Sequence, residues 1–211
     1  MGSKVGAMTS DHRTMIIIGI DPGIASTGLA AIYRAGNVTR WVTGREIRTS
    51  PAWPSVQRLR ALHLAARDTA FAVQKWVEVE LGTARITAAI EAFEARAGGG
   101  RNDRKACPAC GSPSGKDGGK EIARFRRTAI PHGMAMGALL AGLDPIPLGE
   151  PPIRAVDWHR RLKLPPGDPK RAAAQFAEAA IDGLPAVLAD HVTDAACIAL
   201  AARVAGGERR G

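Results

Sequence analysis

The sequence predicts an α/β fold in which a mixed sheet is flanked by helices. An aliphatic run at residues 15–18 is typical of a strand buried on both faces. Two further segments, 27–33 and 38–43, predict an antiparallel meander with that first strand. An amphipathic helix then begins at Ser55, and a fourth strand is predicted over 85–93. Because a long helix connects them, the fourth strand is able to lie parallel beside the first.

Length and charge indicate one domain with a polyanionic partner. The 211 residues suffice for one substantial core, predicted over 15–205 with tails at 1–14 and 206–211. The 29 Lys and Arg residues outnumber the 20 Asp and Glu residues, which leaves a net charge of +9. This balance favours nucleic acid as the partner before an anionic membrane, and the alternative is a basic surface that only contacts solvent.

The cysteine count and the hydropathy pattern indicate the compartment. Three cysteines, an odd number, argue against a disulfide framework and favour a reducing environment. No apolar run approaches the length of a membrane span, and residues 1–14 lack the apolar centre of a signal peptide. We therefore expect a cytoplasmic protein without a membrane partner.

Asp21 is the first candidate functional residue. It stands where the first strand ends in Pro22 and Gly23, a pair that cannot continue a ladder. A carboxylate is costly to desolvate, so one at the tip of a core strand is expected to meet a cation or a hydrogen-bond donor. The alternative is an ordinary turn aspartate. Small residues nearby leave room for a bulky group such as a phosphate: Gly23, Ala25, Ser26 and Gly28.

Two later segments carry further carboxylates. Glu91 closes the fourth strand, and adjacent strands lie about 4.8 Å apart, so its side chain is expected to reach the same ion as Asp21. A last helix is predicted to begin at Asp190 as its capping residue. His191 and Asp194 are three residues apart and project from one face of its first turn, where the alternative is a surface pair.

Residues 98–119 form a glycine-rich segment without hydrophobic periodicity, which predicts a mobile surface insertion. Between residues 94 and 127, nine basic residues stand against four acidic ones, a local net charge of +5. A basic insertion beside an acidic site is suited to contact DNA phosphates. The predicted DNA-binding residues here are Arg101, Arg104, Lys105, Lys120, Arg124, Arg126 and Arg127.

Cys107 and Cys110 lie inside this insertion at the spacing of half a tetrahedral zinc site. No second pair follows, because Cys197 belongs to the predicted last helix. Two protomers contributing one pair each would complete the site. The alternative is an incidental or reduced pair, and a thioredoxin-like pair is disfavoured by the absence of a matching strand–helix context.

The C-terminal half predicts a proline-rich connection and two helix starts. Pro131 is expected to open a helix at its first position, and residues 153–156 are expected to form a short edge strand. Asp168 has the form of a helix cap, with Pro169 in the first turn. Lys170 follows, where it would meet a phosphate or serve as an ordinary first-turn lysine.

Three segments together resemble the motifs of the RuvC family of Holliday-junction resolvases, within the RNase H-like superfamily. Residues 19–23 (Gly-Ile-Asp-Pro-Gly), followed by 27–28, resemble the first motif, and residues 89–93 (Ala-Ile-Glu-Ala-Phe) resemble the second. His191, followed three residues later by Asp194 and an alanine, resembles the final motif. Some members have Asp at the histidine position, so it stays open whether the histidine binds metal or acts on the attacking water.

The resemblance implies an RNase H-like fold with a mixed five-stranded sheet, in a bacterial or phage-infected cell. It implies a site for two Mg²⁺ or Mn²⁺ ions, which take oxygen ligands, and Mn²⁺ also accepts imidazole. The implied metal ligands are Asp21, Glu91, His191 and Asp194, and Lys170 is implied as a catalytic and DNA-contacting lysine.

The implied activity is in-line phosphodiester hydrolysis of branched DNA by a homodimer, because symmetric resolution of a four-way junction requires two nicks. The products would carry 5′-phosphate and 3′-hydroxyl ends. One alternative is a nuclease acting on flaps or RNA–DNA hybrids, and another is a non-catalytic junction-binding module. An actin-like kinase is disfavoured because no second phosphate-binding hairpin is evident. The sequence indicates no particular helicase or motor partner.

Overall fold

The computed structural model describes residues 14–92, 118–165 and 167–203, with only the backbone described over 118–128. The described strands are β1 Met15–Asp21, β2 Ser26–Ala35, β3 Val38–Arg48 and β4 Arg85–Ile90. The described helices are α1 Ser55–Glu80, α2 Gly118–Leu143, α3 Ala155–Arg161, α4 Pro169–Ala180 and α5 Asp190–Ala201.

The strands form one mixed sheet in the order β3-β2-β1-β4. β1 pairs antiparallel with β2, β2 pairs antiparallel with β3, and β1 pairs parallel with β4. The predicted α/β class and the parallel placement of the fourth strand beside the first are therefore confirmed. Strand β1 is central, so its last residue, Asp21, ends between the hairpin on one side and β4 on the other.

The prediction of five strands is wrong for the described residues, which form a sheet of four. A segment beyond β4 lies where a fifth strand would pair, but it makes only isolated parallel bridges, Ala88 to Leu148 and Glu91 to Ile153. Helix α3 begins two residues after Ile153, so the expected edge strand is one bridge long. Proline has no backbone N–H to donate to a ladder. Four prolines interrupt this segment: Pro145, Pro147, Pro151 and Pro152.

Helices cover both faces of the sheet. Alternate residues of β1 point to opposite sides, so Ile16, Ile18 and Ile20 pack in the core with α1 and α2, while Ile17 packs with α5. On the α5 side, a Cβ at Gly19 would lie 1.8 Å from the carbonyl oxygen of Ala195. A glycine is therefore required for α5 to approach the central strand this closely.

The start predicted for the second helix is wrong, because α2 runs from Gly118 and contains Pro131 in its interior. A proline there removes one helical hydrogen bond, but its φ remains helical. Downstream of the proline, α2 packs against α1 so closely that a Cβ at Gly142 would lie 2.3 Å from the carbonyl oxygen of His63. Tertiary packing therefore supports the helix on the side of the proline that reaches the core.

The helix predicted after residue 168 is confirmed, since Asp168 is its N-cap and accepts hydrogen bonds from the backbone N–H groups of Lys170 and Arg171. No helix among the described residues combines the length and the apolar character needed to cross a lipid bilayer.

Candidate active site

Asp21 and Glu91 lie side by side at the carboxyl ends of two parallel strands. The register pairs Ile20 with Ile90. Asp21 follows Ile20 in the chain, and Glu91 follows Ile90. The backbone N–H of Glu91 donates to the carbonyl oxygen of Ile20 over 3.0 Å. Parallel pairing thus brings two carboxylate residues from distant parts of the sequence to the same end of the sheet, where β1 and β4 terminate.

The first turn of α5 lies directly over the hairpin opposite Asp21. Asp21 pairs with Gly28 in the ladder, and a Cβ at Gly28 would lie 1.7 Å from the carbonyl oxygen of His191. This close approach brings the Nδ1 atom of His191 to 2.6 Å from Oδ2 of Asp21. Of the predicted site residues, these two are in direct contact.

Asp194 lies in the same cluster, one helical turn beyond His191. Burial, and then repulsion from the carboxylate of Asp21, raise the pKa of Asp194 to about 6. Lys170 and His191 oppose that rise. The effect of Asp21 on this pKa means that two carboxylates are close enough to repel each other, which is an arrangement that a bound cation relieves.

Lys170 lies at the exposed edge of this cluster, where its Nζ atom is 2.7 Å from Oδ2 of Asp190. The hydrogen bond with Asp190 raises the pKa of Lys170, and the carboxylates of Asp194 and Asp21 add to the rise. The prediction that Asp190 caps α5 is wrong: the N-cap is Ala189, without a side-chain hydrogen bond, and Asp190 pairs with the lysine of α4 instead.

The turn that follows Asp21 is held by side-chain hydrogen bonds. The backbone N–H of Gly23 donates to Oγ1 of Thr27 over 3.2 Å. Arg58, at the start of α1, donates from Nη2 to the carbonyl oxygen of Ile24 and from Nε to Oγ1 of Thr49, each over 3.0 Å. Arg58 therefore joins this helix to the hairpin.

Glu91 has a partner that no sequence pattern predicts. The indole Nε1 of Trp158 donates to Oε2 of Glu91 over 2.8 Å, and Trp158 is only 2% exposed. From sequence, Trp158 stands in a basic cluster after a proline-rich connection, and no spacing links it to Glu91. Only the return of the chain along β4 brings the two together.

Glu46 is an acidic residue of β3 that is absent from the predicted site, because β3 was expected to end at residue 43. It pairs in register with Gly28, on the far side of the hairpin from Asp21. Its carboxylate accepts hydrogen bonds from Ser26 over 2.6 Å and from Arg48 over 2.8 Å. The hydrogen bond from Ser26 is the main cause that lowers the pKa of Glu46, so this carboxylate is ionised and already engaged.

Within the described part of the chain, no group of three or more His, Cys, Asp or Glu side chains is arranged to hold a metal ion. Two of the carboxylate oxygens are instead engaged by Nδ1 of His191 and Nε1 of Trp158. The chemistry of the donor set nevertheless fits a hard divalent cation, since it is rich in carboxylates and one of these is destabilised by another. The predicted ligand set therefore stays a prediction.

The remaining predicted residues lie outside the described structure or are described only in part. Cys107, Cys110, Arg101, Arg104 and Lys105 fall in the undescribed segment. The backbones of four more belong to α2, but their side chains are not described: Lys120, Arg124, Arg126 and Arg127.

Comparisons with known proteins agree with the resemblance seen in the motifs. No protein-family model matches the chain. The crossover junction endodeoxyribonuclease RuvC of Zymomonas mobilis subsp. mobilis is 41% identical over 49 residues, which is 23% of this chain and 29% of that protein. The sequence match thus spans less than a third of the relative's length.

Solved structures match over nearly the whole chain. The RuvC structure of Thermus thermophilus gives a TM-score of 0.60 at 20% identity and covers 89% of this chain and 92% of that one. The T. thermophilus RuvC in complex with a Holliday junction substrate gives 0.59 at 20% identity, with 89% and 91% covered. The predicted resemblance is thereby confirmed, and the chain has the fold of RuvC.

Proposed function

We propose that this chain is a metal-dependent endonuclease that resolves four-way DNA junctions. The observation that carries the proposal is the convergence of Asp21, Glu91, His191 and Asp194 at one edge of a RuvC fold. The parallel register of β1 and β4 supports the pairing of Asp21 with Glu91, and the close approach of α5 to Gly28 supports the inclusion of His191 and Asp194. The net charge of +9 supports a nucleic-acid partner.

The three carboxylates of Asp21, Glu91 and Asp194 would hold the divalent ions, with Mg²⁺ or Mn²⁺ as the candidates. When bound as a pair, such ions supply an activated water and neutralise the leaving oxygen in phosphodiester hydrolysis. Carboxylates suit this role because a shared cation would attract both Asp21 and Asp194 and offset the repulsion between them.

His191 contributes a ring nitrogen to the same site. Its Nδ1 lies 2.6 Å from Oδ2 of Asp21, and because a carboxylate oxygen accepts hydrogen bonds we assign the proton between them to Nδ1. The tautomer then leaves the lone pair of Nε2 to bind an ion or to accept a proton from the attacking water. The contact with Asp21 fixes the plane of the imidazole for either role.

Lys170 provides positive charge at the exposed side of the carboxylates. Among the described residues its ammonium group pairs with Asp190, and an ammonium group has further N–H donors for a phosphate oxygen. The basic residues predicted between 94 and 127 would extend this positive surface along the DNA. Two such sites related by a twofold axis would cut both strands of a junction, so we propose a homodimer.

A cleavage assay tests the proposal. Synthetic four-way junctions, matched duplexes, flaps and RNA–DNA hybrids are incubated with Mg²⁺, with Mn²⁺ and with EDTA. We expect metal-dependent paired nicks in the junction that leave 5′-phosphate ends. Preference for flaps or hybrids would indicate the related nuclease activity instead, and metal-independent junction binding without cleavage would indicate a binding module.

We also propose that Cys107 and Cys110 supply half of a zinc site that a second protomer completes. Bound zinc in the purified protein, measured by elemental analysis, should equal one ion per two chains and disappear in the double substitution Cys107→Ser, Cys110→Ser. Dimer dissociation on that substitution would support the shared site, whereas zinc-free wild-type protein would refute it.

A further inference from the structure

The main chain at Glu91 is held from both sides. On one side its N–H donates to Ile20 over 3.0 Å, as part of the parallel pairing with β1. On the other side the N–H of Ala92 donates to Ile153 over 2.7 Å, and the N–H of Ile153 donates to Ile90 over 2.8 Å. The backbone is thus fixed, but the flexible Glu91 side chain needs a further restraint to present one conformation.

Trp158 supplies that restraint. Helix α3 begins two residues after the Ile153 bridge, and the N–H of Trp158 donates to the carbonyl oxygen of Arg154 over 3.1 Å in its first turn. The same turn of chain that pairs with the end of β4 therefore returns the indole to Glu91, where Nε1 meets Oε2 at 2.8 Å. At 2% exposure the indole is packed in the core and has little freedom to move.

The helix that carries Trp158 is itself anchored to the rest of the core. Arg161 of α3 donates from Nη1 to Oε1 of Glu150 over 2.7 Å and to the carbonyl oxygen of Ala201 over 3.1 Å. Ala201 is the last residue of α5, the helix that carries His191 and Asp194. The indole is therefore held against the same framework that positions the other site residues.

We propose that Trp158 is a positioning residue that orients the carboxylate of Glu91 for a divalent ion shared with Asp21. This inference rests on the proposed function, since it takes Glu91 as a metal ligand. An indole N–H donates one hydrogen bond, accepts none and carries no charge. It therefore restrains one carboxylate oxygen without repelling a cation bound to the other oxygen. A lysine or arginine at this position would repel that cation.

Replacement of Trp158 by Phe removes the donor and keeps an aromatic ring. Mn²⁺ binding to the DNA-free protein, measured by electron paramagnetic resonance, should weaken about tenfold or more, because partners of metal ligands typically contribute that much. In the cleavage assay, the Mg²⁺ concentration for half-maximal rate should rise, and the rate at saturating Mg²⁺ should fall less than this.

Trp76→Phe is the matched control, since Trp76 packs against Tyr33 with ring centroids 5.9 Å apart and Tyr33 pairs with Ile16 near the opposite end of β1. It makes the same chemical change in the same protein. We expect its Mn²⁺ affinity to equal that of the wild type. Equal Mn²⁺ affinity in Trp158→Phe and the wild type would overturn the proposal.

A second measurement keeps Trp158 in place. The chain has four tryptophans, so four indole N–H resonances are expected in ¹⁵N spectra, and the one lost in Trp158→Phe identifies this residue. If that variant does not fold, selective Glu91→Gln substitution identifies the resonance by its upfield shift as a charged acceptor becomes neutral. The Trp158 resonance should also move on Mg²⁺ addition. An indole signal that responds to neither change would refute the proposal.

The two proposals fail in different ways. Wild-type protein that cuts no branched DNA, but whose Trp158 resonance and Mn²⁺ affinity respond as expected, would refute the junction-resolving activity and retain the positioning role. Normal junction cleavage together with a Trp158→Phe variant of unchanged metal affinity would do the reverse.

Discussion

The imidazole Nδ1 of His191 lies 2.6 Å from Oδ2 of Asp21, although 170 residues separate them in the chain. The contact joins the end of the central strand to the first turn of the last helix. It exists because Gly28, the ladder partner of Asp21, leaves no Cβ between the hairpin and α5.

Removal of the Asp21 charge should strongly reduce cleavage. Asp21→Asn retains the side-chain size but removes the charge that binds a cation and orients His191, so we expect junction cleavage to fall about 100-fold or more. Gel-shift affinity for the junction in EDTA should change by less than threefold. Asp68→Asn, an exposed aspartate of α1, is the control. Undiminished Mg²⁺-dependent nicking by Asp21→Asn would contradict the metal site.

Asp194→Asn should stabilise the metal-free protein while it removes activity. The pKa of Asp194 is raised to about 6, above its usual value near 3.9, so the ionised form is disfavoured in the folded state. The free energy of unfolding of the wild type therefore decreases as the pH rises from about 4 to about 6, and the full penalty is present above pH 6. Substitution should raise the free energy of unfolding at pH 7.5 by on the order of 1–3 kcal/mol.

Urea denaturation in EDTA at pH 4 and at pH 7.5 checks this expectation. At pH 4 the wild type and Asp194→Asn should be equally stable, since both side chains are then largely neutral. Addition of Mg²⁺ at pH 7.5 should stabilise the wild type more than the variant. A variant that is less stable than the wild type at pH 7.5 in EDTA would count against crowding of the carboxylates.

Gly28→Ala should separate the two halves of the site. The added Cβ would lie 1.7 Å from the carbonyl oxygen of His191, so α5 must shift and the contact with Asp21 must lengthen. We expect a loss of more than about 2 kcal/mol in stability and loss of cleavage. Gly133→Ala is the control, because its Cβ would meet nothing within 4 Å and alanine favours a helix. Thermal unfolding and junction cleavage, measured for both variants, test whether the approach of α5 to Gly28 requires a glycine.

Arg58→Ala should loosen the turn that follows Asp21. The variant loses the hydrogen bonds to Ile24 and Thr49, which costs on the order of 1–3 kcal/mol of stability. Arg60→Ala, at an exposed position two residues along α1, should be nearly neutral. Chemical denaturation measures the difference, and equal stability of the two variants would show that the arginine does not brace the turn.

Lys170→Ala should weaken binding to DNA without destabilising the fold. With one phosphate contact removed, the salt dependence of junction binding should become less steep by about one unit in a double-logarithmic plot. Lys75→Ala on the exposed face of α1 should leave this slope unchanged. Fluorescence anisotropy at several salt concentrations measures both, and an unaltered slope for Lys170→Ala would place the lysine off the DNA path.

Local pattern was enough to predict much of the architecture. The aliphatic run of β1, the meander after it, the long helix α1 and the cap at Asp168 depend on neighbours in sequence, and each is present in the structure. The order of these elements also led to the parallel pairing of β4 with β1. Local pattern failed in two places. It predicted a fifth strand, where prolines remove ladder donors, and it placed the start of the second helix at Pro131, where packing on α1 sustains a helix on the core side of that proline.

The sequence by itself determined which residues are candidates for the proposed chemistry: an aspartate after a core strand, a glutamate after its parallel neighbour, and a histidine and aspartate three apart. Only the tertiary structure decided their partners. Asp190 binds Lys170 and does not cap its helix, Arg58 braces a hairpin, and Trp158 meets Glu91. The reason is physical: periodicity along the chain reports which face of an element is buried, whereas a hydrogen bond between distant residues depends on how closely two elements approach.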